Sequence, residues 1–222
     1  MPELKVKAVI FDMDGVLIDS EEMHDFVHKS FVKRLLADRN GERFCGHVEP
    51  GVSVTECYRS LLAANGFAGD MDAALKKLHG QHFKEMTRLL YAGDIALCES
   101  VARLLPELYK QGILLAVASS SVNSFVNAVL EHFGVARYFS EVVSGEQVQR
   151  KKPAPDIYRE AVRRLGVSPQ HALAVEDSGS GVTAAYGAGL RCLWYRPGGV
   201  NMPPDAYAAI GSIMQILDYI GR

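Results

Sequence analysis

The sequence has no run of apolar residues as long as the roughly 18 to 20 that a membrane-spanning helix needs. It also has no excess of either charge, because 24 lysines and arginines are balanced by 26 aspartates and glutamates, for a formal net charge of −2. A protein that binds nucleic acid usually carries a basic surplus, which is missing here. We therefore expect partners that are neither membranes nor nucleic acids.

Cysteine is scarce as well: the four cysteines, Cys45, Cys57, Cys98 and Cys192, are scattered and show no CxxC or other metal-binding spacing. Such sparse cysteines are typical of reduced thiols in a cytoplasmic protein. Residues 1–5 carry charges where a signal peptide has its apolar core, so no signal peptide is expected. Hydrophobic residues make up 48% of the 222 positions, which is ordinary for a globular protein with its own core.

The most informative stretch is an apolar run that ends at Phe11 and leads directly into Asp12 and Asp14. The run is too short for a helix and rich in β-branched and aromatic residues, which favours a buried strand. Because side chains alternate along an extended chain, the two carboxylates should emerge on the same side. Two carboxylates beside an apolar core repel each other, and a hard divalent cation such as Mg2+ is the usual remedy. The plainer alternative is that these acids only cap the next turn.

From about residue 99 onward, apolar runs alternate with amphipathic stretches that stop at glycines. The predicted strands lie near 113–118, 141–143, 171–175 and 190–195. This alternation is typical of right-handed βαβ units with a parallel sheet covered on both faces. The sequence therefore predicts an α/β core with a Rossmann-like, doubly wound parallel sheet.

Strand-like runs are absent from about 20 to 93, where helical periodicity predicts an all-helical insertion. The expected domains are a core formed by 1–18 and 94–222 and a helical domain at 19–93. Asp19 is a candidate cap for the first helix, three residues before a glutamate.

The helices predicted in the insertion carry four histidines. His24 with His28 and His79 with His82 could each face one way on a helix, as zinc ligands do. No third ligand is evident, so histidines at the surface or lining a pocket are the simpler interpretation.

Polar residues follow successive predicted strands of the core, and the carboxyl ends of parallel strands meet at one edge of a sheet. These residues are Asp12, Asp14, Ser119, Lys152, Glu176 and Asp177. Together they suit phosphoryl transfer: carboxylates hold a metal, a lysine adds positive charge, and a hydroxyl donates to phosphate oxygens.

Four motifs in this set resemble those of the haloacid dehalogenase superfamily, in the branch of β-phosphoglucomutase, phosphoglycolate phosphatase and small sugar-phosphate phosphatases. The motifs are Asp12-Met13-Asp14-Gly15-Val16, Val117-Ala118-Ser119, Lys152-Pro153 and Glu176-Asp177-Ser178. Their order and spacing cover essentially the whole chain, which makes the combination specific. The resemblance implies a Mg2+-dependent phosphatase with an aspartyl-phosphate intermediate, and it implies that residues 19–93 form a cap domain.

By this resemblance, Asp12 is the nucleophile and a metal ligand. Asp14 is the general acid and base, and its backbone carbonyl also contacts the metal. Asp177 is a further metal ligand, and Glu176 either binds the metal directly or supports a ligand. A plainer alternative makes Glu176 a structural acid in a loop.

The resemblance assigns phosphate binding to Ser119, Ser120 and Lys152. Lys152 is preferred over Lys151 because it directly precedes Pro153. The plainer alternative for Ser119 is a residue that only starts a helix.

Three functions remain to be distinguished. The dehalogenases and phosphonatases of the superfamily lack an aspartate at the position of Asp14, which favours a phosphatase. A hexose-phosphate mutase is the alternative. The position of His24 is similar to that of a histidine in β-phosphoglucomutase, and Ser121 and Asn123 resemble the serine-rich second motif of that enzyme. Against it, residues 51–55 contain no arginine to hold a second phosphate. A catalytically inactive metabolite-binding homologue is the third possibility.

The leaving group should be chosen by the helical insertion, since the core contacts the phosphoryl group common to all substrates. The specificity candidates are Asn123 in the core and, in the insertion, His24, His47, Glu49, Arg59 and Lys84. We expect the partner to be a small phosphorylated metabolite and the protein to be a monomer or weak dimer. Gly93 is a candidate hinge between the two domains.

Overall fold

The computed structural model describes residues 5–36, 52–196 and 202–220. It separates the chain into two compact units, Met1–Asp19 with Ala96–Arg222 and Ser20–Ile95. The specificity candidates His47 and Glu49 lie outside the described residues. The role of the inserted unit as a cap stays a prediction.

The larger unit is built on a parallel sheet. In chain order the described strands are β1 (Ala8–Phe11), β2 (Ile18–Asp19), β3 (Ala96–Leu97), β4 (Leu114–Ser119), β5 (Glu141–Ser144), β6 (Ala172–Glu176), β7 (Arg191–Tyr195) and β8 (Ala208–Ile210). Six of them form one sheet in the order β5-β4-β1-β6-β7-β8, and every neighbouring pair is parallel. The short β2 and β3 form a separate antiparallel pair. The predicted doubly wound α/β core is confirmed.

Strand β1 lies at the centre of the sheet because all four of its residues are apolar and fully buried. Ala8 and Ile10 belong to a core cluster that includes residues of the helices at Asp156–Leu165 and Gly179–Gly187. The alternate residues Val9 and Phe11 point to the opposite face and are equally buried. Both faces are therefore covered, which explains why β1 has no polar alternation.

The described helices are α1 (Glu21–Leu35), α2 (Val54–Ala64), α3 (Met71–Ala92), α4 (Val101–Lys110), α5 (Asn123–His132), α6 (Asp156–Leu165) and α7 (Gly179–Gly187). Helices α1, α2 and α3 belong to the inserted unit and pack around buried Val32, Tyr58, Leu61 and Leu75. No helix within the described ranges is long and apolar enough to span a bilayer.

The structure corrects one expectation and adds two elements. The first helix begins after Ser20, and no side-chain cap closes it, so Asp19 is not its cap. Helix α4 continues from Val101 to Lys110 with Pro106 inside it. Beyond β7, the added elements are β8 and the 3₁₀ helix Ile213–Tyr219, which no sequence pattern predicted.

Candidate active site

The candidate site begins where β1 ends. The Asp12 N–H donates to the carbonyl of Val175 at 3.0 Å, so the chain remains in the sheet up to the first aspartate. It then turns sharply: the N–H groups of Val16, Leu17 and Ile18 all donate to the carbonyl of Met13.

Gly15 makes this turn possible. Its φ is +76°, and a Cβ at this position would overlap the carboxylate of Asp177. Only glycine combines that backbone angle with so close an approach. The turn after β1 and the acid after β6 are thereby brought into contact.

Lys152 joins three strand ends. Its ammonium donates to Oδ1 of Asp12 at 3.0 Å, to Oε1 of Glu176 at 2.6 Å and to the carbonyl of Ala118 at 2.9 Å. The side chain is only 4% exposed, whereas the neighbouring Lys151 is exposed. The structure thus places Lys152, and not Lys151, among the predicted site residues.

Glu176 is fully buried and both of its carboxylate oxygens are engaged. Oε1 accepts from Lys152 and from the Tyr158 hydroxyl at 2.6 Å, and Oε2 accepts from the Ser178 hydroxyl at 3.1 Å. Gly181 lies against the carboxylate so closely that any Cβ there would overlap it. The side chain is therefore fixed in one orientation.

Negative charge exceeds positive charge in this cluster. Burial and the charge of Glu176 together raise the pKa of Asp12 to about 8, although Lys152 opposes both effects. Burial lowers the pKa of the Lys152 ammonium, but the charges of Asp12 and Glu176 outweigh it and hold the pKa above its ordinary value. Lys152 stays protonated, yet one ammonium does not neutralise the surrounding carboxylates.

A divalent cation fits this donor set. Within the described ranges, one group of three or more potential ligands has its donor atoms within 4.8 Å of one another, and it consists of Asp12, Glu176 and Asp177. Buried carboxylate oxygens are the ligands that Mg2+ prefers. Asp14 is not part of this group, so any metal contact from it would involve its backbone carbonyl, as the family resemblance implies. The direct role of Glu176 as a ligand stays a prediction.

Asp14 follows Asp12 on the same loop but has a different environment. It is half-buried, and its Oδ2 accepts a 2.8 Å hydrogen bond from the Ser121 hydroxyl. Ser119, which ends β4, is fully buried and its Oγ accepts from the Ser121 N–H at 3.1 Å. Ser120 is half-buried between them. The second motif therefore lies beside the first, as predicted, because β4 pairs with β1.

Two of the specificity candidates, Asn123 and His24, lie in different units. The Asn123 N–H donates to the Glu146 carboxylate at 2.8 Å, where α5 begins. In the inserted unit, Nδ1 of His24 lies 2.8 Å from Nε2 of His82, and Nδ1 of His82 lies 2.9 Å from the Tyr58 hydroxyl. His24 on α1 thus contacts His82 on α3. Among the described residues they form no metal-binding group.

Sequence reasoning missed Tyr158, Ser178, Gly15 and Gly181 as contributors to the site. The two glycines and Ser178 lie within or next to the motifs, and their spacing was the available signal. Tyr158 lies on the apolar side of α6, and its position in the sequence pattern does not distinguish it from an ordinary aromatic residue of the core. Burial and the charge of Glu176 raise the pKa of its phenol well above the ordinary value, so the hydroxyl remains a hydrogen-bond donor.

Comparison with known families decides the classification. The family model described as haloacid dehalogenase-like hydrolase matches residues 9–195, a span that includes all four motifs. The chain belongs to this family. The predicted superfamily and branch are therefore confirmed.

Two relatives show how far the similarity of this hydrolase extends. It is 32% identical over 232 aligned positions to the protein CbbY of Cereibacter sphaeroides, covering 94% of this chain and 95% of that protein. It is 30% identical over 192 positions to a phosphorylated carbohydrates phosphatase of Thermotoga maritima, covering 85% of this chain and 84% of that protein. Relatives named as phosphatases support the predicted enzyme class, a phosphatase hydrolase.

The fold is shared with a solved relative over nearly its full length. The crystal structure of CbbY from Rhodobacter sphaeroides in complex with phosphate has a TM-score of 0.79 and 29% identity to this chain. The match covers 98% of this chain and 100% of that one. The likeness thus extends over both compact units.

Proposed function

We propose that this hydrolase is a Mg2+-dependent phosphatase that acts on small phosphorylated carbohydrates through a phosphorylated aspartate. The observation that carries this proposal is the convergence of Asp12, Lys152, Glu176 and Asp177 at the carboxyl edge of the sheet. The name of the Thermotoga maritima relative supports carbohydrate phosphates as the substrate class.

Asp12 is the proposed nucleophile. Its carboxylate attacks phosphorus, the bond to the leaving alcohol breaks, and the phosphoryl group passes to the aspartate. The carboxylate must be ionised to attack. Lys152 favours ionisation directly, and a divalent cation bound by Asp12 and Asp177 would add the positive charge that the cluster lacks.

Asp14 is the proposed general acid and base. It lies two residues after Asp12, and its hydrogen bond with Ser121 fixes the position of its carboxylate. Lys152 forms its ion pair with Asp12 instead. It protonates the leaving oxygen in the first half-reaction. In the second it takes a proton from the water that hydrolyses the aspartyl phosphate.

Lys152, Ser119 and Ser120 are the proposed phosphate-binding residues. Lys152 supplies a fixed positive charge, and the serine hydroxyls donate hydrogen bonds to the phosphoryl oxygens. Specificity for the leaving group is assigned to Asn123 and to the inserted unit, including His24. We also propose that the enzyme is cytoplasmic and is a monomer or weak dimer. Size-exclusion chromatography tests the oligomeric state.

The experiment that tests the function is release of inorganic phosphate from an aryl phosphate, followed by a panel of carbohydrate phosphates. We expect Mg2+-dependent turnover, abolished by Asp12→Asn. Lys152→Met should lose most of the activity, whereas Lys151→Met, its exposed neighbour, should retain it. Turnover by Asp12→Asn equal to that of wild type would exclude the aspartyl-phosphate mechanism, and absence of any turnover would favour the inactive metabolite-binding homologue.

The mutase alternative is tested separately with glucose 1-phosphate and a catalytic amount of a hexose bisphosphate. A phosphatase gives free phosphate and no glucose 6-phosphate. Stoichiometric isomerised product would overturn the proposal in favour of phosphoryl transfer between hydroxyls. The absence of an arginine in residues 51–55 supports the phosphatase.

A further inference from the structure

Lys152 has no spare hydrogen-bond donor. An ammonium group carries three protons, and the acceptors Asp12, Glu176 and Ala118 occupy all three directions. Its position relative to Asp12 is therefore set by the other two acceptors. The Ala118 carbonyl is part of the sheet and fixed by it, but Glu176 is a side chain that itself needs fixing.

Tyr158 contacts both members of this buried ion pair. Its hydroxyl donates to Oε1 of Glu176 at 2.6 Å, the same oxygen that accepts from Lys152, and its ring centroid lies 5.3 Å from the Lys152 ammonium. Tyr158 is fully buried, so solvent does not replace its hydroxyl when that group is removed. The ring and the hydroxyl thus act on the same charge pair from one side chain.

The geometry points to Tyr158 as a positioning residue that holds Glu176, and through it the Lys152 ammonium, in place beside Asp12. This inference rests on the proposed function in one respect, namely that Lys152 binds the phosphoryl group. Ser178 bonds the other oxygen of Glu176 and Gly181 packs on its carboxylate, but neither contacts Lys152 in the way that Tyr158 does. Loss of the Tyr158 hydroxyl therefore affects the direction of the ammonium.

Tyr158→Phe tests this with the ring kept and one hydroxyl removed. The charge of Lys152 attracts the phosphoryl oxygens in both the ground state and the transition state, so its misplacement weakens binding at both stages. We expect the Kd for inorganic phosphate, measured by calorimetry in the presence of Mg2+, to rise about tenfold, as loss of one hydrogen bond to a buried charged group implies. The KM for an aryl phosphate should rise by a similar factor with little change in kcat.

Val162→Ala is the matched control. Val162 lies one turn further along α6, is buried in the same core cluster as Tyr158, and its truncation destabilises the fold without removing a polar group. We expect Val162→Ala to lower the melting temperature at least as much as Tyr158→Phe and to leave the phosphate Kd within about twofold of wild type. If Tyr158→Phe behaves like this control in Kd and KM, Tyr158 is a core residue and nothing more.

A crystal structure of Tyr158→Phe gives a readout that needs no activity. The inference requires the Lys152 ammonium to leave hydrogen-bond distance of Asp12, which it contacts at 3.0 Å in the native chain. An unchanged Lys152–Asp12 contact would overturn the inference even if wild type bound no phosphate. A wild type that binds phosphate but hydrolyses no ester would overturn the proposed function alone, because the Kd comparison would still decide the role of Tyr158.

Discussion

Ser121 and Asp14 lie 107 residues apart in sequence, and the hydroxyl of Ser121 donates a 2.8 Å hydrogen bond to the carboxylate of Asp14. Ser121 follows β4, Asp14 follows β1, and these two strands pair directly. Ser121 is 5% exposed, so its hydroxyl is shielded from competing water. The bond therefore holds the proposed general acid and base of the reaction in a defined orientation.

Ser121→Ala should lower kcat more than it changes KM. The variant removes a bond to the proton-transferring group and leaves Lys152 and Asp12 unchanged, so phosphate binding is retained. We expect kcat for an aryl phosphate to fall about fivefold to tenfold, which is less than the roughly 100-fold or more that a proton-transferring group itself contributes, because Asp14 is still present. Ser124→Ala, on the exposed side of α5, is the matched control and should have no effect. A raised KM with normal kcat would instead make Ser121 a phosphate-binding residue.

Asp177→Asn should weaken metal binding. Asp177 is 7% exposed, and its carboxylate is packed against Gly15 within the group of potential ligands. We expect the Mg2+ concentration that gives half-maximal rate to rise about tenfold or more, by analogy with changes around other metal sites. Direct titration with Mn2+ gives the same comparison without turnover. Glu131→Gln makes the corresponding change at an exposed carboxylate on α5 and is the control. Equal metal affinity in the wild type and both variants would contradict the assignment of Asp177 as a metal ligand.

Asp156→Asn should loosen the segment that presents Lys152. The Asp156 carboxylate accepts from the Arg150 guanidinium at 2.7 Å and 3.1 Å and from the Arg150 N–H at 3.3 Å, so it closes the loop 150–156. The Arg150 side chain is 64% exposed, and a surface pair of this kind contributes about 1 kcal/mol or less to stability. We therefore expect a KM raised about twofold to threefold, a small loss of stability, and weaker effects at high salt. Glu160→Gln removes ion pairs with Arg163 and Arg164 on the same helix, outside this loop. An identical kinetic effect from it would contradict a specific role for the Arg150–Asp156 pair.

Much of the core could be predicted because its central strands β1 and β6 are fully buried and β4 is buried over all but its first residue. The apolar run before Asp12 has no polar interruption, and the acids after it mark the end of β1 without ambiguity. The same reasoning located β4 before Ser119 and β6 before Glu176, within one residue at each end. Helix α6 was equally clear, since it stops at Gly166, whose φ is +66°.

Other features lacked a local signal. Strand β8 has three residues, only one of them buried, so neither length nor periodicity distinguishes it from a loop. The bond between Tyr158 and Glu176 depends on how α6 packs against the sheet, and an aromatic on an apolar helix face does not reveal its hydroxyl partner. The contact between His24 and His82 spans 58 residues and two helices, so the periodicity of a single helix does not indicate it.

The inserted unit contains a buried group of imidazoles. His28 is 2% exposed and its ring lies 4.4 Å from that of His82 and 4.6 Å from that of Tyr58, centroid to centroid. Nδ1 of His28 contacts the carbonyl of His24 at 2.6 Å, so this nitrogen carries the proton, whereas buried Nε2 has no hydrogen-bond partner of good geometry among the described residues. Protonation of Nε2 would place a charge there that the nearby Asp25 compensates only in part.

Acid should therefore destabilise the fold through His28. Burial, together with the nearby His24, lowers the pKa of His28 from 6.5 to about 4, so the unfolded chain binds a proton that the folded chain rejects. The contribution of neutral His28 to the free energy of unfolding is fully present above pH 6.5 and is lost as the pH falls towards 4. At pH 5 the loss is about 2 kcal/mol. Urea unfolding at pH 7 and pH 5 measures this, and His28→Phe, which cannot titrate, should reduce the difference between the two pH values by about that amount. His132→Gln removes an exposed histidine and should leave the difference unchanged. An equal pH dependence in wild type and His28→Phe would mean that His28 is already protonated, or solvated, in the native protein.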